Sequence, residues 1–140
     1  MKVFLDANVI ISVLNKEYPL FTYSARILSL SRKNNFEIYT SPLCLAIAFY
    51  FASKKSGEMK AKQKINMLME HINLTTISED IARKVIKNPQ IHDFEDGLEY
   101  YSALDKSCQV LITENKEDYF FSSIEVLNCE EFFTKYLKPA

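Results

Sequence analysis

The residues best placed to do chemistry are aspartates. Ile91-His92-Asp93-Phe94-Glu95-Asp96-Gly97-Leu98 opens a helical stretch in which carboxylates stand where a core face is expected. Turned at about 100° per residue, the stretch gathers Phe94, Gly97, Leu98, Tyr100, Tyr101, Leu104 and Cys108 on one apolar arc. Glu95, Glu99, Ser102 and Lys106 fall opposite and read as solvated. Asp93 lies inside the arc and Asp96 at its margin, and an unpaired charge on a buried face is very costly, so each calls for a partner. Helix capping is the plainer use: Asp93 as N-cap with Asp96 as its third-position companion, and Asp6 as cap of a helix starting at Asn8. A metal centre is the alternative. Carboxylates about 4 Å apart repel by roughly 4 kcal/mol per pair at an effective dielectric near 20, so a cluster of them stays ionised only beside a cation. All-oxygen sets of this kind suit Mg²⁺ or Mn²⁺, which activate water and neutralise charge on a phosphodiester.

The elements that must position these acids follow from periodicity. Val3-Phe4-Leu5 is an unbroken apolar run, as in a strand buried on both faces, and Asp6-Ala7-Asn8 ends it before Val9, Ile10, Val13 and Leu14 take up helical spacing. Leu20 to Arg32 is helical, Lys33-Asn34-Asn35 breaks it, and Phe36 to Thr40 alternates as a second strand. Ser41-Pro42 caps a helix to Ser53 that is apolar nearly all round and is expected to be deeply buried. Glu58 to His71 forms a more polar helix, with Ile65, Met67, Leu68 and the following Ile72 toward the core. Leu74 to Ile77 reads as a third strand, and Glu79 to Lys87 as a helix capped by Ser78 and stopped at Asn88-Pro89. The Asp93 helix runs to about Ser107, Gln109 to Thr113 is the clearest strand, and Ile124 to Leu127 and Glu130 to Leu137 make a last strand and a closing helix. Strands alternating with helices predict an α/β fold with a mostly parallel sheet covered on both faces, whose ligands bind beyond the carboxyl ends of the strands. Asp6 lies at such an end, as does the loop from Asn115 to Asp118, where Lys116, with Asn115 and Thr113 beside it, has the chemistry to hold a phosphate oxygen.

Composition sets limits on partners. With 140 residues and 48% hydrophobic content the chain suits one domain, residues 1–140, with a sizeable core. Its net charge of -1 provides no global attraction to nucleic acid or an anionic membrane. Three widely spaced cysteines predict neither a disulfide framework nor a zinc site. The N-terminus lacks the pattern of a secretory signal, and the apolar run Leu43 to Ala52 is about half a membrane span. Together these predict a cytoplasmic protein without a membrane partner. Lys54, Lys55, Lys60, Lys62 and Lys64 form a basic cluster that reads foremost as a solvated face, His92 as a loop histidine, and Tyr119-Phe120-Phe121 as packing under a loop.

Three stretches together carry a resemblance. Phe4-Leu5-Asp6-Ala7-Asn8-Val9-Ile10 resembles the opening motif of PIN-domain nucleases, Asp93-Phe94-Glu95-Asp96-Gly97-Leu98-Glu99-Tyr100 their central acidic helix, and Leu111-Ile112-Thr113-Glu114-Asn115-Lys116-Glu117-Asp118-Tyr119 their late strand and acidic loop. The resemblance implies a three-layer α/β/α sandwich on a roughly five-stranded parallel sheet. It also implies a Mg²⁺- or Mn²⁺-dependent endoribonuclease acting on RNA, of the VapC-like toxin kind, paired with an antitoxin protein and forming a homodimer. By position Asp6, Asp96 and Asp118 match metal-coordinating acids of the family, with Asn115 as a neighbouring site residue and Asn8 and Thr113 as supporting contacts.

One departure stands out. Many members of the family carry a glutamate in the helix after the second strand, whereas Leu43-Cys44-Leu45-Ala46-Ile47-Ala48-Phe49 has no acid. Asp93 is the residue expected to supply the missing charge. Two other readings compete: a catalytically weak domain that holds RNA or a partner protein, and a receiver-like domain phosphorylated on Asp6. The receiver reading lacks the adjacent acid pair after the first strand and the acid after the central strand.

Overall fold

The computed structural model describes residues 1–33 and 35–137, so Asn34 of the expected break and the last three residues of the 1–140 span lie outside the described residues. Five strands, β1 (Lys2–Leu5), β2 (Glu37–Thr40), β3 (Asn73–Leu74), β4 (Val110–Ile112) and β5 (Glu125–Leu127), form one sheet in the order β3-β2-β1-β4-β5. Every pairing is parallel, with Val3 opposite Ile38 on one side and Val110 on the other. The third strand is shorter than Leu74 to Ile77 predicts, because Thr75 leaves the ladder after its N–H bonds the Thr40 carbonyl at 2.8 Å.

The helices are α1 (Ala7–Leu14), α2 (Phe21–Ser29, extended by a 3-10 turn over Leu30–Arg32), α3 (Pro42–Ser56), α4 (Glu58–Leu68), α5 (Glu79–Lys87), α6 (Phe94–Asp105) and α7 (Cys129–Phe132). Among the described residues, no helix is long and apolar enough to cross a membrane. The strands are apolar without alternation because both faces of the sheet are covered. Val3, Leu5, Ile38 and Ile112 pack with α1, α2, α4 and α7, while Phe4 and Leu111 pack with Tyr100 and Ala103 of α6 and with Tyr119.

Two expectations about helix faces are corrected. The first is that α3 is deeply buried: it buries only Cys44, Ala48 and Ala52, small side chains that permit close approach to α1 and α4, and it leaves Tyr50 53% and Phe51 45% exposed. Ser41 caps it as expected, accepting from the Cys44 N–H at 3.0 Å, with Pro42 in its first turn. The second concerns Met67 on α4, which is 66% exposed rather than turned to the core.

The chain order makes the centre of the sheet a switch point. From β1 the connections run outward to β2 and β3, then return across to β4 and β5 on the other side of β1. Adjacent strands whose connections leave in opposite directions open a crevice at their carboxyl ends. Here that crevice lies beyond Leu5 and Ile112.

Candidate active site

Asp6 follows the last residue of β1, and its backbone N–H bonds the Ile112 carbonyl at 3.0 Å, which pins it to the end of β4. It is 5% exposed. Its Oδ1 caps α1 by accepting from the Ala7 N–H at 2.7 Å, and its Oδ2 accepts from the Thr113 hydroxyl at 2.7 Å. Asn8 ties the same end together: Nδ2 donates to Thr113 Oγ1 at 3.2 Å and Oδ1 accepts from the Glu114 N–H at 3.2 Å. Asp6, Asn8 and Thr113 therefore form one network at the switch point, and the Asn115 N–H adds a 3.1 Å bond to Thr113 Oγ1.

The helix α6 brings the second set of acids. Asp93 is its N-cap, exposed, with Oδ1 accepting from the Asp96 N–H at 3.1 Å. The expectation that Asp93 sits on a buried face is thus corrected and its capping alternative holds, because the residue precedes the first helical turn with an extended backbone and its side chain reaches forward to the free Asp96 N–H. Asp96, half-buried, accepts from the Tyr119 hydroxyl at 3.2 Å. Burial pushes its carboxyl up to about 7, and the negative charges of Asp93, Asp6 and Asp118 push in the same direction. Asp6, Asp93 and Asp118 thus lie near enough to Asp96 for their like charges to raise it, Asp6 in the interior and Asp93 and Asp118 exposed.

Glu99 is the residue the helical wheel misplaces. It is 1% exposed, not solvated. Its Oε2 accepts from the Tyr119 hydroxyl at 2.7 Å, and donor atoms of Asp6, Cys44 and Glu99 lie within 4.8 Å of one another. Burial, with a hydrogen bond to Asp6 and that residue's charge, pushes the Glu99 carboxyl up to about 10. Burial and the charges of Glu99 and Asp6 also hold the Cys44 thiol protonated. The Tyr119 hydroxyl is raised by burial and by the charges of Asp6, Glu99 and Asp96, so it remains a neutral donor.

The wheel fails because α6 is covered on two sides. On its apolar arc Tyr100 packs on the sheet and Gly97 meets α5, where a Cβ would lie 2.6 Å from a Val85 methyl, so only glycine fits without a shift. Its polar arc meets the sheet edge and α3, where Ser102 is fully buried and bonds Thr75 Oγ1 at 3.0 Å. Spacing did contain a signal, since Glu99 is three residues after Asp96 and so shares its face of the helix.

Lys116 is not brought to the acids. Its Nζ pairs with Glu131 at 2.8 Å. Among the described residues no lysine or arginine forms a salt bridge with Asp6, Asp93, Asp96, Glu99 or Asp118. These oxygen donors have no salt bridge to a cationic side chain among the described residues, and the donor chemistry fits a hard divalent ion.

The sequence profile of the PIN domain family matches residues 2–117, most of the chain. The chain belongs to the PIN domain family. Ribonuclease VapC1 of Aquifex aeolicus (strain VF5) is similar to it, with 27% identity over 139 residues, 96% of this chain and 95% of that protein. Among solved structures, VapBC-1 from nontypeable Haemophilus influenzae matches with a TM-score of 0.70 and 22% identity over 93% of this chain and 99% of that one. VapBC2 from Rickettsia felis, bound to a DNA fragment from their promoter, matches with a TM-score of 0.67 and 18% identity over 91% of this chain and 98% of that one. At these identities the structural matches establish the fold. PIN nucleases are generally divalent-metal dependent, which agrees with an acidic cluster at the switch point of this PIN domain.

Proposed function

We infer that this PIN domain is a divalent-metal-dependent endoribonuclease that hydrolyses RNA phosphodiesters as the toxin of a bacterial toxin–antitoxin pair. The observation that carries this reading is the buried Asp6 carboxylate at the carboxyl ends of β1 and β4, next to Glu99, which Tyr119 bridges to the half-buried Asp96, with no salt bridge to a cationic side chain among the described residues. Its relative named as a ribonuclease spans nearly the whole chain, and its structural neighbours include VapBC proteins.

Mg²⁺ or Mn²⁺ would be held by Asp6 and Asp96, with Asp118 and Asp93 at the rim. When bound, such an ion supplies a nucleophilic water and stabilises charge on the phosphodiester. The chain's own part is positioning. The Thr113 hydroxyl and the Ala7 N–H fix the rotation of the Asp6 carboxylate, Asn8 locks Thr113 against the Glu114 backbone, and Tyr119 orients Asp96. Asn115, exposed and held to Thr113 by its backbone N–H, would be a contact for RNA. The pairing of Lys116 with Glu131 leaves it no assigned phosphate.

An antitoxin and a second copy of the chain are the expected protein partners, in the cytoplasm. Exposed Tyr50 and Phe51 on α3 and Met59 and Met67 on α4 provide apolar surface for such contacts. The deciding experiment is Asp6→Asn assayed on an RNA panel in Mn²⁺ or Mg²⁺. Cleavage is expected to vanish, and cleavage equal to that of the unaltered protein sinks the reading. A domain that only holds RNA would instead show RNA binding without divalent-ion binding in calorimetry.

A further inference from the structure

The helix α3 reaches the site with a thiol, Cys44, and carries no acid between Leu43 and Phe49. Glu99 of α6 comes to the same point. Asp93, the acid expected to compensate, is exposed and already caps α6 through the Asp96 N–H. Glutamate is almost never fully buried unless paired, and Glu99 has no cationic partner among the described residues. Its neighbours are Asp6, Cys44 and the Tyr119 hydroxyl. A buried carboxyl there costs more desolvation than an apolar side chain of similar size, so packing does not explain it.

Its placement matches that of a ligand. Asp96 and Glu99 are three residues apart on one helix face, the spacing with which helices present two ligands inward to one metal site. The Tyr119 hydroxyl lies 3.2 Å from Asp96 Oδ1 and 2.7 Å from Glu99 Oε2 and spans the pair. Of the donors near Asp6, the carboxylate suits a hard ion and the neutral thiol of Cys44 does not.

We propose that Glu99 supplies from α6 the carboxylate that α3 lacks, as a further ligand to the divalent ion held by Asp6 and Asp96, with Tyr119 as its positioning residue. This rests on the metal-dependent reading above. It is tested by titrating the purified full chain with Mn²⁺ and measuring free Mn²⁺ by electron paramagnetic resonance, without RNA. Glu99→Gln is expected to weaken binding by at least about tenfold, the loss that even an outer-shell partner of a ligand can cause, while Glu95→Gln, at an exposed acid of the same helix, leaves binding close to that of the unaltered protein. Adding Cys44→Asp to Glu99→Gln is expected to restore affinity by returning a carboxylate from α3. Equal Mn²⁺ affinity for Glu99→Gln and the unaltered protein overturns the proposal while leaving the ribonuclease reading intact. Absence of Mn²⁺ binding by the unaltered protein overturns both. Should Glu99→Gln not fold, Mn²⁺-soaked crystals of the unaltered protein decide: anomalous density within about 2.3 Å of a Glu99 oxygen supports the proposal, and an ion bound by other acids with Glu99 outside that range overturns it.

Discussion

Helices α3 and α6 approach the same cluster with opposite chemistry, and each places its side chains where composition alone would not. The helix α3 is almost wholly apolar through Phe51, yet its aromatic residues Tyr50 and Phe51 face solvent. The helix α6 carries a polar arc, yet Glu99 and Ser102 on that arc are buried. The difference lies in what each helix covers. Small residues suffice for α3 to sit against α1 and α4, so its large side chains are left over for other contacts. The polar arc of α6 lies over the switch point, where Asp6, Thr75 and Tyr119 offer hydrogen bonds and charge rather than apolar surface. Residue polarity reports the chemistry of the surface that is met, not whether one is met.

That contrast is open to being broken. Gly97→Val puts a branched side chain into the α5 interface, 2.6 Å from Val85, and is expected to cost on the order of 3 kcal/mol in urea unfolding. A loss no larger than that of a surface substitution would mean that α6 is not clamped on its apolar arc. Tyr119→Phe keeps the ring but leaves Glu99 Oε2 and Asp96 Oδ1 without their donor, for an expected loss of about 2 kcal/mol without metal. Unchanged stability would indicate that these carboxyls reach water instead.

A smaller effect should appear as pH dependence. The folded-state carboxyl of Asp96 holds its proton up to about 7, whereas the unfolded chain releases it near pH 4. Between those values the native state binds more protons than the unfolded one, so metal-free stability should fall as pH rises through that window. Glu99, raised to about 10, acts in the same direction and extends the fall to higher pH. Mn²⁺ competes with these protons, so its stabilising effect should grow over the same rise, a pattern that thermal melts at several pH values would show. Phe51→Ser on α3 is expected to change stability by less than about 0.5 kcal/mol while weakening capture of an antitoxin or a second copy, as judged by gel filtration of the mixed proteins.

The sequence by itself determined the parallel sheet, because uninterrupted apolar runs such as Val3 to Leu5 have no stable place except a strand covered on both faces. It also placed Asp6 and the Thr113 loop at strand ends, since a polar residue directly after such a run marks where the strand leaves the core. Ser41 and Ser78 announced their helices through local capping bonds, which need no tertiary context. What only the tertiary structure decided is which acids face inward. Whether Asp93 or Glu99 is buried depends on α5, α3 and the sheet edge all packing against α6, and no periodicity within that helix contains those neighbours. One helix turned between two covers is why an acid that reads as solvated stands beside Asp6 and one that reads as buried caps the helix in solvent.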